Sequence, residues 1–357
     1  MRIYLVGGFL GSGKTTAIVA AAQLLQSKGV MVGVVTNDQG RSLVDTKFVR
    51  AGGITAFEVT GGCFCCNLPD LESMIGRLES LSAPATIFAE PVGSCTDLIA
   101  TVLKPLIVAG RAGREVGRLS VLTDVRLLRQ RLLGGALPFS EDVQYIYDCQ
   151  VEEAEILVLN KSDLLKPDAA REVKEAALAR YPEKTIFLQS SYDKTDILRW
   201  TDELDKTESP AHRVIPVDYD KYGHGEMGLA WYDVALSIDL SEDKGKEAVH
   251  RLVQELRDSV KRRGRPLGHL KIHLQHPEGS LKMSITDDPV PPSELQKISG
   301  RHLDVTINAR AEDTAEDLQT AIREGMQRAL SGAGIVWAIS NEESFHPSRP
   351  RPFLRMS

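Results

Sequence analysis

The chain has 357 residues, 42% of them hydrophobic and 26% charged, with a net charge of -6. This is the composition of a soluble globular protein long enough for two domains, and its mild acidity argues against nucleic acid as the main partner. No apolar run approaches the roughly 18 residues needed to cross a membrane, and the first residues, "MRIYLVGGFLGSGKTT", lack a signal-peptide h-region and cleavage site. A cytoplasmic location is therefore expected, where thiols stay reduced and clustered cysteines bind metal or cycle redox states rather than form disulfides.

The first two hundred residues alternate short apolar runs with helical patterns. Residues 2–6 read as a buried strand, 14–28 as a helix ending before Gly29, and 30–37 and 54–59 as further strands. A helix is expected at 68–80, a strand at 85–90, a mostly helical stretch at 96–107, and strands at 118–124 and 154–160. A helix at 167–180, a strand at 184–190 and a helix at 195–204 complete this part. Strand alternating with helix predicts an α/β fold, a mostly parallel sheet with helices on both faces.

Residues 205–228 are polar and turn-rich and read as a linker. A second pattern follows over 229–346. It comprises a strand at 229–240, a charged helix at 245–263, strands at 268–275, 280–286 and 302–310, a helix at 314–331 and a strand at 334–340. That order predicts a smaller α+β domain. The Pro-rich tail 347–357 reads as a surface segment.

The strongest motif is "GFLGSGKT", residues 8–15. It fits the phosphate-loop pattern G-x-x-x-x-G-K-[ST] and sits between a strand and a helix, as that motif requires. Gly8, Gly11 and Gly13 let backbone N–H groups face the phosphates, Lys14 reaches the terminal phosphates, and Thr15 offers a hydroxyl to Mg2+. Ser12 and Thr16 belong to the same nucleotide-binding loop. The second motif is "NKSD", residues 160–163, at a strand end. The Asp163 carboxylate can accept from both the ring N–H and the exocyclic amine of guanine, a pair that adenine does not offer. Asn160 would meet the base edge or tie the loop, and Lys161 would lie over the ring.

Glu90, at the end of the strand in "FAEP", is placed to support Mg2+ directly or through water. The segment "TNDQGRSLVDT" (36–46) occupies the position of a nucleotide-sensitive switch. Asp38 and Asp45 are its candidate carboxylates, for the Mg2+ shell or the attacking water.

Three of the five cysteines, Cys63, Cys65 and Cys66, crowd into "GGCFCC". Thiolates suit Zn2+ and Co2+. Three from one loop leave a coordination position open, as a site that accepts and releases metal would need. A thiol redox switch is the alternative chemistry. Cys95 and Cys149 read as core residues. His269 and His273 share one face of a strand with His276 near its end, and they read as the polar face of a half-exposed strand rather than ligands. The basic run at 259–266 is explained by a helix C-terminus.

Taken in order, "GGFLGSGKTT", "GGCFCCNL", Glu90 and "QVEEAEILVLNKSDLL" resemble the CobW-like GTPases over roughly residues 1–204. These are P-loop GTPases of metallochaperone type with a C-x-C-C motif. The resemblance implies slow GTP hydrolysis coupled to binding a transition metal, usually zinc or cobalt, and handing it to a client metalloprotein. It also implies a C-terminal domain that helps recognise that client. Two other readings stay open at this point, a GTP-dependent chaperone for a cobalamin or other metallocofactor enzyme and a thiol redox-sensing GTPase. Oligomeric state, including a homodimer, is also left open. The chain departs from the family where N-E-x-G-E becomes Asn37-Asp38-Gln39-Gly40-Arg41, and where E-x-[ST]-G becomes "EPVG", Glu90 to Gly93. A His-rich linker is absent, leaving only "HGE" at His224–Glu226.

Overall fold

The computed structural model describes residues 1–40, 44–110, 113–206, 212–240, 245–276, 279–285, 300–331 and 335–357. Arg41, where the switch segment departs from its family pattern, lies outside them. Two units form. The first comprises Met1–Gln39, Gly52–Gly225 and Arg349–Ser357, and the second Gly40–Ala51 and Glu226–Ser348.

In the first unit eight strands build one parallel sheet: β1 (Arg2–Gly7), β2 (Val32–Asn37), β3 (Thr55–Val59), β4 (Thr86–Glu90), β5 (Glu115–Val116), β6 (Ser120–Asp124), β7 (Ile156–Asn160) and β8 (Thr185–Leu188). Their spatial order is β3-β2-β4-β1-β6-β7-β8, with short β5 pairing β1. Every residue of β2, β4, β6 and β7 is buried. Strands covered on both faces must be continuous apolar runs, which is why they are readable in the sequence. Helices α1 (Lys14–Ser27), α3 (Leu68–Ser82), α4 (Lys104–Val108), α5 (Val125–Leu132), α6 (Glu141–Glu153), α7 (Pro167–Arg180), α8 (Lys194–Leu204) and α9 (Tyr219–Gly228) follow the chain, with α2 (Val44–Ala51) falling between β2 and β3. The helix expected at 96–107 is a π-helical turn, Ile99–Leu103, running into α4.

Besides α9, which falls in the expected linker, three helices have no counterpart in the sequence reading: α2, α5 and α6. Side-chain caps start the last two, Asp124 accepting from Arg126 N and Ser140 accepting from Val143 N. The expected linker 205–228 contains α9, which buries Tyr222. A Cβ on Gly225 would stand 2.5 Å from the Asp142 carbonyl, so the turn-forming glycine here serves close packing against α6. Residues 349–357 form the expected surface segment, tied down through its backbone. Phe353 N donates to the Cys65 carbonyl at 2.8 Å and Met356 N to the Ala100 carbonyl at 2.9 Å.

The second unit is an antiparallel sheet of β9 (Ala230–Asp239), β10 (Leu267–His276), β11 (Gly279–Ile285), β12 (His302–Ala311) and β13 (Val336–Phe345). The order is β11-β10-β12-β9-β13. Helices α10 (Gly245–Arg262) and α11 (Ala315–Leu330) contribute Leu252, Leu256, Ile322 and Met326 to a core that also takes Leu270, Ile272 and Leu274 from β10. The other face of β10 carries His269, Lys271 and His273 and meets α2. Both histidines are consequently buried rather than half-exposed. Burial and the ammonium groups of Lys47 and Lys282 push the His273 imidazole down to about 4, so it is neutral near pH 7.

Candidate functional site

The loops leaving the C-terminal ends of the parallel strands gather at one edge of the first sheet, where open α/β folds place ligands. After β1, Gly8, Gly11 and Gly13 all adopt positive φ, and a Cβ on Gly8 would stand 2.1 Å from the Leu122 carbonyl. Only glycine can take both the conformation and the proximity. The loop feeds α1, whose first residue, Lys14, donates through Nζ to the Gly8 carbonyl at 2.8 Å. Next in the helix, Thr15 donates its hydroxyl to Glu90 Oε1 at the end of β4, at 2.9 Å, with both side chains buried. A hydroxyl and a carboxylate held together at the mouth of a phosphate loop suit a hydrated Mg2+.

The guanine-type motif sits after β7. Asn160 does not point at open space. Its Nδ2 donates to the Ser12 carbonyl at 2.7 Å and its Oδ1 accepts from the Ser191 hydroxyl at 2.9 Å. It therefore ties the phosphate loop to the loop after β8, the second of the two roles the sequence left open. Lys161 takes a left-handed backbone (φ 61°) and its ammonium lies 3.0 Å from Asp124. Burial alone would raise the Asp124 carboxyl, but hydrogen bonds from Arg126 and the Lys161 ammonium outweigh it and hold it below its usual range. Asp163 lies in a short 3-10 turn, Ser162–Leu164, with its carboxylate exposed. Asp124 and Ser191 were not singled out from the sequence. Their positions at strand ends β6 and β8 are the signal that could have found them.

Asp45, expected beside Mg2+ or the attacking water, belongs to α2 in the second unit. Lys271 Nζ reaches its Oδ2 at 2.5 Å and Lys282 Nζ its Oδ1 at 2.8 Å. Burial would raise this carboxyl, but the two ammonium groups prevail and hold it well below its usual value. Both oxygens are occupied by structural ion pairs. Asp38 stays in the first unit, half-buried, directly after β2.

The three clustered thiols lie after β3 at the same edge. Cys63 and Cys66 Sγ are 3.2 Å apart, Cys65 and Cys66 Sγ 3.8 Å apart, and all three fall within 4.8 Å of one another. Sulfurs around a tetrahedral zinc with bonds of about 2.3 Å stand about 3.8 Å apart, so this set fits one ion with small adjustments. Hydrogen bonding with Cys65, Cys66 and Cys95 holds the Cys63 thiol well below its usual value. The same sharing raises Cys65, and the contact with Cys63 pushes Cys66 up to about 11. Among the three, Cys63 is the thiol most readily deprotonated. A cation would have to displace the remaining protons, which makes metal uptake proton-linked.

The loop is braced from β2. Asn37 Nδ2 donates to the carbonyls of Val59 (3.0 Å) and Gly62 (2.8 Å), and its Oδ1 accepts from Phe64 N at 2.8 Å. Arg351 N, from the returning segment, donates to Cys66 Sγ at 3.3 Å. Cys149 is buried in α6 as expected. Cys95, 1% exposed, is buried too. Because Asn37 orients the loop without supplying a ligand, Asn37→Ala should weaken zinc binding about 10–100-fold. Nucleotide affinity should stay near the wild-type value. Competition against a chromophoric chelator, with a nucleotide titration alongside, reads both. An unchanged zinc affinity would remove Asn37 from the site.

A family model described as CobW/HypB/UreG, nucleotide-binding domain, matches residues 2–189. A zinc chaperone CobW of a Sinorhizobium species is 25% identical over 214 residues, covering 52% of this chain and 57% of that protein. A zinc chaperone YeiR of Escherichia coli K12 is 30% identical over 190 residues, covering 50% of this chain and 51% of that protein. The chain thus spans about half the length of the curated relatives it matches. The structure of HypB from Helicobacter pylori in complex with nickel covers 58% of this chain and 91% of its own at 20% identity, with a TM-score of 0.42, a likeness too loose to add to the site.

Proposed function

The chain belongs to the CobW/HypB/UreG nucleotide-binding family, and on that premise we propose that it hydrolyses GTP and uses the nucleotide state to bind and release a transition metal, zinc or cobalt, for a client protein. The observation that carries this reading is the convergence of three thiols within 4.8 Å at the sheet edge that also presents the phosphate loop.

In this reading Lys14 exchanges its carbonyl partner, Gly8, for phosphate oxygens. Thr15 and Glu90 hold Mg2+, which neutralises charge on the phosphates. Gly11, Ser12, Gly13 and Thr16 supply the surrounding backbone and first helical turn. Asp163 selects guanine, Lys161 packs on the base, and Asn160 keeps the two loops in register. Of the two switch carboxylates, Asp38 is left to orient the attacking water, since both Asp45 oxygens are taken. The metal is cargo. Cys63, Cys65 and Cys66 bind it, and the handover needs a client. No helix among the described residues is long and apolar enough to cross a membrane, and a cytoplasmic place suits reduced thiols.

Purified protein should prefer GTP to ATP and bind one zinc per chain. An adenine preference, or reversible disulfide formation under peroxide without stoichiometric metal, would overturn the reading. A separate expectation follows for Asp45. Asp45→Asn removes the carboxylate that two buried ammonium groups share and should cost about 3–5 kcal/mol of stability. Because its folded pKa is depressed, this stabilisation is present above the unfolded value of about 4 and is lost as pH falls through the folded one. Urea denaturation at neutral pH checks the loss, and GTP hydrolysis at low temperature should survive. Loss of hydrolysis in a folded variant would restore Asp45 to the catalytic set.

A further inference from the structure

We propose that residues 349–357 form a strap across the cysteine loop, and that lifting it opens the metal site at Cys66. The proposal rests on the reading of that loop as a metal site and adds how the site is reached. The whole segment belongs to the first unit, as the three cysteines do. Cys63 and Cys65 are buried, 3% and 1% exposed, and Cys66 alone of the three keeps partial exposure. A metal, or the ligand that takes it away, therefore reaches the cluster through Cys66. That is the sulfur the strap touches: Arg351 N stands 3.3 Å from its Sγ, and Phe353 N donates to the neighbouring Cys65 carbonyl at 2.8 Å.

The sequence of the segment, "RPRPFLRMS", prepares it for this. Pro350 and Pro352 hold φ near about −65° and carry no N–H, so this stretch is stiff before it docks and loses little freedom on docking. The N–H groups on either side of Pro352, those of Arg351 and Phe353, both go to the cysteine loop. Farther along, Arg355 fastens the strap. Its Nε donates to Asp97 Oδ2 at 2.7 Å, and a terminal guanidinium nitrogen donates to Asp97 Oδ1 at 3.3 Å and to the Ile215 carbonyl at 3.1 Å. Asp97 is 2% exposed, and its other side-chain donor is the Tyr219 hydroxyl at 2.6 Å, so the strap supplies the charge that this buried carboxylate needs. Met356 N makes the last contact, with the Ala100 carbonyl at 2.9 Å.

The hold is polar and does not come from core burial. Within the segment only Pro350 is buried, while Phe353 and Leu354 are 64% and 45% exposed. A segment with few buried apolar contacts opens locally and leaves the rest folded. Docked, the strap covers Cys66 and gives its sulfur a backbone donor, an outer contact of the kind that tightens metal binding. Lifted, it withdraws that donor and uncovers the sulfur in one movement, which is what giving up a metal requires.

Alkylation of the metal-free, reduced full chain with iodoacetamide, read at each cysteine by mass spectrometry, reports how often Cys66 is uncovered. Arg355→Ala removes a hydrogen-bonded charge pair and should speed modification of Cys66 about 10–100-fold. Phe353→Pro takes away the amide proton given to the Cys65 carbonyl, leaves Asp97 alone, and should also speed it. Buried Cys149 should keep its wild-type rate in both. Loaded with one equivalent of Zn2+, the same variants should lose zinc to a chromophoric chelator faster than the wild type. An unchanged Cys66 rate in both variants, or a rise shared by Cys149, would overturn the strap. Zinc loss at the wild-type rate despite faster alkylation would overturn its part in opening the site. A chain that takes up no zinc while Cys66 still responds would overturn the metal-site reading, and with it the opening of that site, but not the strap across the loop.

Discussion

Cys63→Ala is expected to lower zinc affinity more than about 100-fold, beyond the loss of any outer-shell partner. Cys63 is the sulfur on which the cluster centres. Its Sγ lies 3.2 Å from that of Cys66 and within 4.8 Å of that of Cys65. Alanine removes the thiol alone, because the hydrogen bonds that shape the loop use the backbone: Cys66 N and Asn67 N both donate to the Cys63 carbonyl, at 3.0 and 2.9 Å. Without zinc, GTP affinity should stay within about twofold of wild type, since the substitution removes no phosphate-loop or base contact, while any gain in GTP affinity on adding zinc should be lost with the metal. Chelator competition and a nucleotide titration on the same preparation check both halves. A variant that keeps wild-type zinc affinity would show that the metal binds elsewhere.

Asp163→Ala should have the second large effect. Two hydrogen bonds from guanine to a carboxylate contribute about 1.5–3 kcal/mol each. Their loss should lower GTP affinity about 10²–10⁴-fold and remove discrimination against ATP. The exposed turn that carries Asp163 is held by its backbone, Ser162 N to the Gln189 carbonyl at 3.0 Å and Leu164 N to the Lys161 carbonyl at 3.0 Å. Alanine should leave it folded. Asp163→Asn provides a positive control: an amide offers a donor where xanthine has a carbonyl, so the variant should gain affinity for xanthosine triphosphate. Calorimetric titration with the three nucleotides decides it, and an unchanged GTP preference would place base recognition elsewhere.

Much of this site was legible in the sequence because its parts are local. The phosphate loop, the strand-end Glu90, the 160–163 motif and the cysteine run are each set within a few residues, next to strands whose burial on both faces makes them continuous apolar runs. What was not legible depends on distant partners. Asn37 braces a loop 25 residues away. Asp45 sits in a segment between two strands of the first unit, yet meets Lys271 and Lys282 more than 200 residues later. The burial of His269 and His273 has the same origin, since nothing in β10 announces that α2 packs on its polar face. Arg351 N reaches Cys66 from a stretch that reads as a solvent-facing tail.

The central claim is that nucleotide state and metal affinity are linked, and linkage requires the effect to be reciprocal. The most direct test is the zinc dissociation constant of the full chain measured with Mg2+ and a non-hydrolysable GTP analogue, and again with GDP. The account predicts tighter binding with the analogue, by about 5–150-fold, the usual span of such coupling. Equal constants in the two states would contradict it.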